Sequence, residues 1–182
     1  MIKEIFFTTS NKNKLHELKK ILPIEIKSVE LSLEEIQETD VQKVAEDKAK
    51  KAFELTGKTV MVEDTGIYLD CLKGFPGALG RWMEKTCGYA VLCDIVKFNK
   101  NNSVVTKTCF SFFEKDLCQS FLGETPGIIS ETPKGNLGFG WDSIFIPEGS
   151  EKTQAEMLPE EKNSVSCRYK AILKLKEFLL KA

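Results

Sequence analysis

An α/β domain is the fold class this sequence predicts, and three observations predict it. Short apolar runs of strand length alternate with amphipathic segments at helix spacing. The chain is 182 residues long, which at roughly 150 residues per domain reads as a single domain over 1–182 with room for a core. Hydrophobic residues make up 42% and charged residues 29%, a composition that excludes a disordered chain.

The elements follow in order along the sequence. Residues 2–8 read as a first strand. Ser10 or Asn11 is placed to cap a helix in which Leu15, Leu18, Ile21 and Leu22 form one stripe, and Pro23 ends it. Residues 24–31 suit a second strand, and an acidic segment from Glu34 to Asp40 follows. Asp40 is positioned as the cap of a helix whose apolar row is Val41, Val44, Ala45, Ala49, Ala52 and Phe53, with Gly57 as its stop. Residues 58–62 predict a short buried strand ending at Glu63 and Asp64, where a loop begins. Gly74 to Gly77 forms a turn-rich loop, and a helix is expected around 85–98. Residues 103–113 and 117–122 predict a hairpin across Glu114, Lys115 and Asp116, with further strands at 126–130 and 143–147. Ser164 or Ser166 starts the last helix, with Tyr169, Ile172, Leu175 and Leu179 on one face.

Several function classes drop out. Lys and Arg number 26 against 27 Asp and Glu, a net charge of −1, so the basic excess of a nucleic-acid coat is missing. No stretch approaches the ~18 uninterrupted apolar residues of a membrane span. The first seven residues are too short and too polar for a secretory leader, so a cytoplasmic protein is expected. Six cysteines lack C-x-x-C spacing, and reduced thiols are expected in a chain of this length. His16 is the only histidine, which leaves a Cys/His zinc site or a histidine-based triad without its parts.

Five segments carry candidate chemistry. Thr8 to Lys14 lies between a strand and a helix, where backbone N–H groups, hydroxyls and lysines suit a polyphosphate; an ordinary capped helix has the same look. Glu63-Asp64-Thr65-Gly66 follows an apolar strand, and ligands of α/β sheets collect beyond strand carboxyl ends. Carboxylates there suit a hard cation such as Mg²⁺ or the polarisation of water. Glu34 and Glu35 could add a ligand from the acidic segment. Lys48 falls on the apolar row of its helix, where a lysine either snorkels or meets an anion, and Arg168 poses the same question four residues before Ile172. Finally, Gly135 to Asp142 combines three glycines with Phe139 and Trp141, which could flank a flat ring, and with Asp142 as an acceptor for a base N–H. Gly57-Lys58-Thr59 imitates the end of a P-loop, but Ala52 stands where that loop needs its first glycine.

Taken in order, Thr9-Ser10-Asn11 with Lys14, Glu63-Asp64-Thr65-Gly66, Gly74-Phe75-Pro76-Gly77, Gly138-Phe139-Gly140-Trp141-Asp142, Ala155-Glu156-Met157, Glu161-Lys162-Asn163 and Ser166-Cys167-Arg168 resemble the inosine triphosphate pyrophosphatase family over nearly the whole chain. The resemblance implies an elongated, two-lobed α/β domain with a long twisted mixed sheet flanked by helices and the active site in the groove between the lobes. It implies hydrolysis of ITP, dITP and XTP to the monophosphate and pyrophosphate, with Mg²⁺ as cofactor and Mn²⁺ able to substitute. It also implies a cytoplasmic homodimer that binds a small-molecule nucleotide and neither nucleic acid nor membrane.

Residue by residue, it implies phosphate binding by Thr9, Ser10, Asn11 and Lys14, metal binding by Glu35 and Asp64, and substrate contacts from Lys48, Thr65 and Arg81. It places the base against Phe139, Gly140, Trp141 and Asp142, with Lys162, Cys167 and Arg168 beside it. Asp64 and Lys14 are the implied catalytic pair. Family members often carry Ser-His-Arg where this chain has Ser166-Cys167-Arg168, and Pro where it has Ser143. The alternatives are a related pyrophosphatase for modified pyrimidine or guanine triphosphates, and a non-catalytic nucleotide- or RNA-binding module.

Overall fold

The computed structural model describes residues 4–9, 12–22 and 24–181. Strand β1 (Glu4–Thr8) leads into helix α1 (Lys12–Ile21), β2 (Glu25–Val29), α2 (Val41–Thr56) and β3 (Val60–Leu69). A short bridge strand β4 (Pro76–Gly77) precedes helices α3 (Gly80–Thr86) and α4 (Val91–Asn99). The hairpin β5 (Ser103–Glu114) and β6 (Leu117–Ile129) is followed by β7 (Phe145–Pro147), α5 (Pro159–Val165) and α6 (Cys167–Lys181). The proposed caps Ser10 and Asn11 and the stop Pro23 lie outside the described residues.

The strands form one mixed sheet in the order β2-β1-β3-β5-β6-β7, with β4 on β3. β1 is parallel to β2 and β3, and the remaining pairs are antiparallel. Local signals place α2 as expected: Asp40 accepts from the Gln42 N–H at 2.8 Å, and Gly57 at φ 62° closes the helix. The hairpin turn also falls where expected, with Lys115 at φ 54°.

Four expectations need correction. β3 does not stop at Asp64; it continues to Leu69 because β5 pairs with it over its full length. The helix expected around 85–98 is two helices, since Gly88 turns left-handed at φ 73° and its N–H returns to the Met83 and Glu84 carbonyls. Residues 117–129 are one strand; Pro126 is tolerated because β7 joins β6 only from Gly127 onward. Helix α5 is the fourth, since no helix is expected over 159–165; α6 begins after Ser166 as expected, and the Ser166 hydroxyl accepts from the Tyr169 N–H at 3.4 Å.

Side-chain alternation sorts the sheet into two faces. On one face, α1 and α6 cover Met61, Phe110, Phe112 and Phe121. On the same face further along the strands, α4 covers Ile67, Leu69, Val104 and Ile129. The opposite face carries α2 over Val60, Val62 and Cys109. The first two clusters are separated by a polar strip whose buried members are Glu63, Thr106, Thr108 and Thr125. Two lobes therefore share β3, β5 and β6, with a groove over the strip. The open edge of β6 is closed by α6, whose Lys174 and Lys170 donate to the carbonyls of Leu122 and Glu124.

Candidate active site

The site is made by a gap in the sheet. β1 pairs with β3 only as far as Thr8 opposite Val62, and β4 pairs with β3 only from Gly77 opposite Ile67. Residues 63–66 of β3 thus have β5 on one side and no strand on the other. A topological break at the carboxyl end of a parallel strand is where α/β sheets hold ligands. The gap is kept narrow by Gly66 and Gly77: a Cβ at Gly66 would stand 2.7 Å from the Gly77 carbonyl carbon.

Glu63 and Asp64 are adjacent, so the strand sends them to opposite faces. Asp64 joins the α2 side. Lys48 Nζ lies 2.7 Å from Glu35 Oε1 and 3.4 Å from Asp64 Oδ1. The lysine on the apolar row of α2 has thus met two anions. Their charges outweigh its burial and raise its pKa. Burial pushes Asp64 up to about 6 against the opposing charges of Lys48 and Lys14. Burial works upward on Glu35 as well, but Lys48, Arg81 and Lys14 together hold it below the usual carboxylate range. Arg81 is exposed on α3, and its charge reaches Glu35 across the gap. Glu34 contributes its backbone carbonyl to Lys51 at 2.8 Å, so of the two adjacent acids it is Glu35 whose carboxylate stands beside Asp64's lysine.

Glu63 joins the groove side. Its side chain is only 1% exposed, and Oε1 accepts from Lys14 Nζ at 3.2 Å and Arg168 Nε at 3.0 Å. Burial would push this carboxyl up, yet the two cations hold it below its ordinary value. The Arg168 Nη1 also meets Glu17 Oε2 at 3.1 Å. Burial opposes the arginine's charge, and Glu63 and Glu17 restore it.

The glycine-aromatic loop arches over the same arginine. The Phe139 ring has Arg168 Cζ at 5.2 Å and Lys162 Nζ at 5.0 Å from its centroid. Asp142 is buried, and its Oδ2 accepts from the Phe139 N–H at 2.7 Å and from Lys162 Nζ at 2.8 Å. Gly138 at φ 81° leaves the space this carboxylate fills: a Cβ there would be 2.1 Å from Asp142 Oδ2. Trp141 packs edge-on to Tyr89, ring centroids 5.6 Å apart, against the α4 cluster. Gly140 sits beside the same tyrosine.

The fold thus brings Lys14, Glu35, Lys48, Asp64 and Arg81 to one end and Phe139, Asp142, Lys162 and Arg168 to the other, with Glu63 between them. Thr65 shares the face of Glu63 by alternation, and Thr9 lies one residue beyond β1. Ser10 and Asn11 lie outside the described residues. Cys167 is buried against the groove floor, Sγ 3.3 Å from Thr108 Oγ1. Glu17 carries no site motif in the sequence, though its spacing of three from Lys14 on α1 places both on one helix face. Glu63 and Asp64, expected to act as adjacent carboxylates, are separated by strand alternation.

The chain is similar to known proteins along nearly its whole length. The family model described as Ham1 family matches residues 5–178. The chain is 36% identical to a dITP/XTP pyrophosphatase of Saccharolobus solfataricus, over 94% of this chain and 91% of that protein. It is 41% identical to an inosine triphosphate pyrophosphatase of Aspergillus fumigatus, over 95% and 92% respectively. A solved HAM1 protein of Coxiella burnetii superposes with a TM-score of 0.89 at 25% identity, covering all of both chains.

Proposed function

The chain belongs to the Ham1 family, and from that premise we propose that it hydrolyses the non-standard purine nucleotides dITP, ITP and XTP to their monophosphates and pyrophosphate, clearing them from the nucleotide pool. One observation carries the reading: at the gap in the sheet, lysines and carboxylates gather on the α2 side, an aromatic ring flanked by two cations stands on the groove side, and Lys14 with Glu63 lies between them. A triphosphate fits the first side and a flat base the second.

The donor set suits Mg²⁺, or Mn²⁺ in its place. Asp64 Oδ2 is buried and has no hydrogen-bond partner among the described residues, and Glu35 stands on the same lysine. Two carboxylates that meet at one lysine suit an ion that completes its shell with water and substrate phosphates. Held by Glu35 and Asp64, it would supply charge neutralisation at the phosphates.

The chain's own residues do the remainder. Lys14 and Lys48 align and neutralise the triphosphate. Asp64 positions the attacking water, which adds at the α-phosphorus and gives its proton to solvent, and pyrophosphate departs with its charge met by the lysines. Phe139 stacks the base. Hypoxanthine and xanthine present a carbonyl at ring position six and a neighbouring N–H, where adenine presents an amino group and a bare acceptor. Buried donors and acceptors matched to the first pattern leave groups unpaired with the second, a mismatch able to reach ~10⁴-fold. Asp142 shapes the loop through Oδ2, which accepts from Phe139 and Lys162, and its second oxygen serves as an acceptor for a base N–H.

The deciding experiment is pyrophosphate release from ITP, XTP, GTP and ATP, with Mg²⁺ and with EDTA. Metal-dependent release from ITP and XTP with little from GTP or ATP is expected. Equal turnover of GTP would mean a relaxed pocket, and no release from any would overturn the reading. The proposal includes a cytoplasmic homodimer; light scattering giving 20.5 kDa instead of twice that would remove the dimer.

A further inference from the structure

We propose that Glu63 is a positioning residue that couples the two ends of the groove, holding the phosphate-end Lys14 and the base-end Arg168 on one carboxylate oxygen so that base identity is read where the phosphates are bound. The inference rests on the nucleotide reading above and deepens it.

Three observations carry it. First, the geometry is a shared anchor: the same Oε1 accepts from Lys14 at 3.2 Å and from Arg168 at 3.0 Å. Second, the anchor is buried, being 1% exposed in the middle of a strand paired along its length with β5. Third, each cation has a further task at its own end. Arg168 Cζ stands 5.2 Å from the Phe139 ring, and the field of Lys14 is felt by both Asp64 and Glu35 on the far side of the strand. A shift of Arg168 toward or away from a base therefore changes how Glu63 holds Lys14. Strand alternation keeps Glu63 off the α2 face, so it does this without sharing the position of Asp64.

The chemistry predicts opposite signs for two measurements. Glu63→Gln removes a buried negative charge from between two cations. An anion without a base then meets a more positive site and binds as well or better. Among the described residues Arg168 then keeps the Glu17 ion pair but loses the one to Glu63, so its position at the Phe139 ring is less fixed and base discrimination is lost. A defect of folding alone weakens both.

The test compares the wild-type chain with Glu63→Gln and Glu63→Asp. It measures kcat and KM for ITP and ATP, inhibition by inorganic tripolyphosphate, and Tm. For Glu63→Gln the kcat/KM preference for ITP over ATP should fall by about tenfold or more, through kcat more than KM. The tripolyphosphate inhibition constant should stay within about threefold or decrease. Glu63→Asp keeps the charge but is one methylene too short to reach both cations, and it should show a smaller loss of preference. It decides the matter by the same ratio if the Gln variant does not fold. An unchanged ITP/ATP preference in a folded variant, or tripolyphosphate binding lost in parallel with ITP, overturns the proposal and leaves Glu63 a structural ion pair. Absence of pyrophosphate release by the wild type would be seen separately, as failure of the functional reading on which the proposal stands.

Discussion

At the scale of single residues, Asp64 and Lys48 make the sharpest predictions. Asp64 is buried beside a lysine that already has a second carboxylate to serve, and its pKa is pushed up to about 6. Asp64 must be charged to act, so kcat/KM, which reports the free enzyme, should rise with pH through about 6. Asp64→Asn should cut kcat by about 10² to 10⁴; near-wild-type turnover would remove Asp64 from the role. The stability sign runs the other way. A carboxyl whose folded pKa exceeds its ordinary 3.8 binds protons more readily in the folded state, so the cost of burying its charge is present at neutral pH. That cost is relieved as pH falls through about 6. The asparagine variant should therefore melt no lower than wild type at pH 7, an inactive protein that is at least as stable.

Lys48 was visible in the sequence because a cation on an apolar helix row violates the pattern. Glu17 was not, because an acid on a helix rich in lysines looks like solvated surface until the fold sets it against Arg168.

Elements were legible where a local signal decides them and illegible where pairing does. Asp40 and Gly57 bracket α2 through interactions within a few residues, and the hairpin at Lys115 is equally local. The end of β3 depends on β5, which lies 45 residues away in sequence where Asp64 faces Cys109 across the ladder. No local reading of Glu63-Asp64-Thr65-Gly66 contains that information, and the turn-like composition argues against it. Gly123 is a similar case. It lies in the middle of β6, and a Cβ there would stand 2.0 Å from the Cys167 carbonyl and 2.6 Å from the Ala171 amide. The glycine exists so that the first turn of α6 can rest on the strand backbone, which is what delivers Arg168 to Glu63. Gly123→Ala must lift this turn, at a cost of about 1–3 kcal/mol. The expected outcome is a lowered Tm together with a raised KM for ITP, because the shift moves Arg168 and the Phe139 ring it faces. A lowered Tm with unchanged KM would show that the helix start absorbs the methyl without moving the site.

For the whole molecule, the question is whether two lobes make two folding units. The groove divides one apolar cluster under α1 and α6 from another under α4, and a polar strip between them is a natural place for the structure to part. Against this, β3, β5 and β6 run through both: Met61 and Phe110 belong to one cluster, while Ile67 and Val104 on the same two strands belong to the other. Unfolding either lobe alone would break ladders in mid-strand and expose the buried face of its neighbour. The chain should therefore unfold in a single cooperative transition.

The placement of its tryptophans makes this testable. Both of the chain's tryptophans lie on the α4 side of the groove, Trp141 packed on Tyr89 and Trp82 exposed on α3. Tryptophan fluorescence thus reports that lobe, while far-ultraviolet circular dichroism reports the backbone of both. Coincident transitions are expected, and a fluorescence transition that runs ahead of the dichroism would show that the lobes part first. A ligand that reaches from the lysines to Phe139 binds both lobes at once. At a hundred times its dissociation constant, a non-hydrolysable dITP analogue should stabilise the fold by about 2.7 kcal/mol and keep the two probes superimposed. A rise confined to one probe would place the nucleotide in a single lobe and contradict a site that spans the groove.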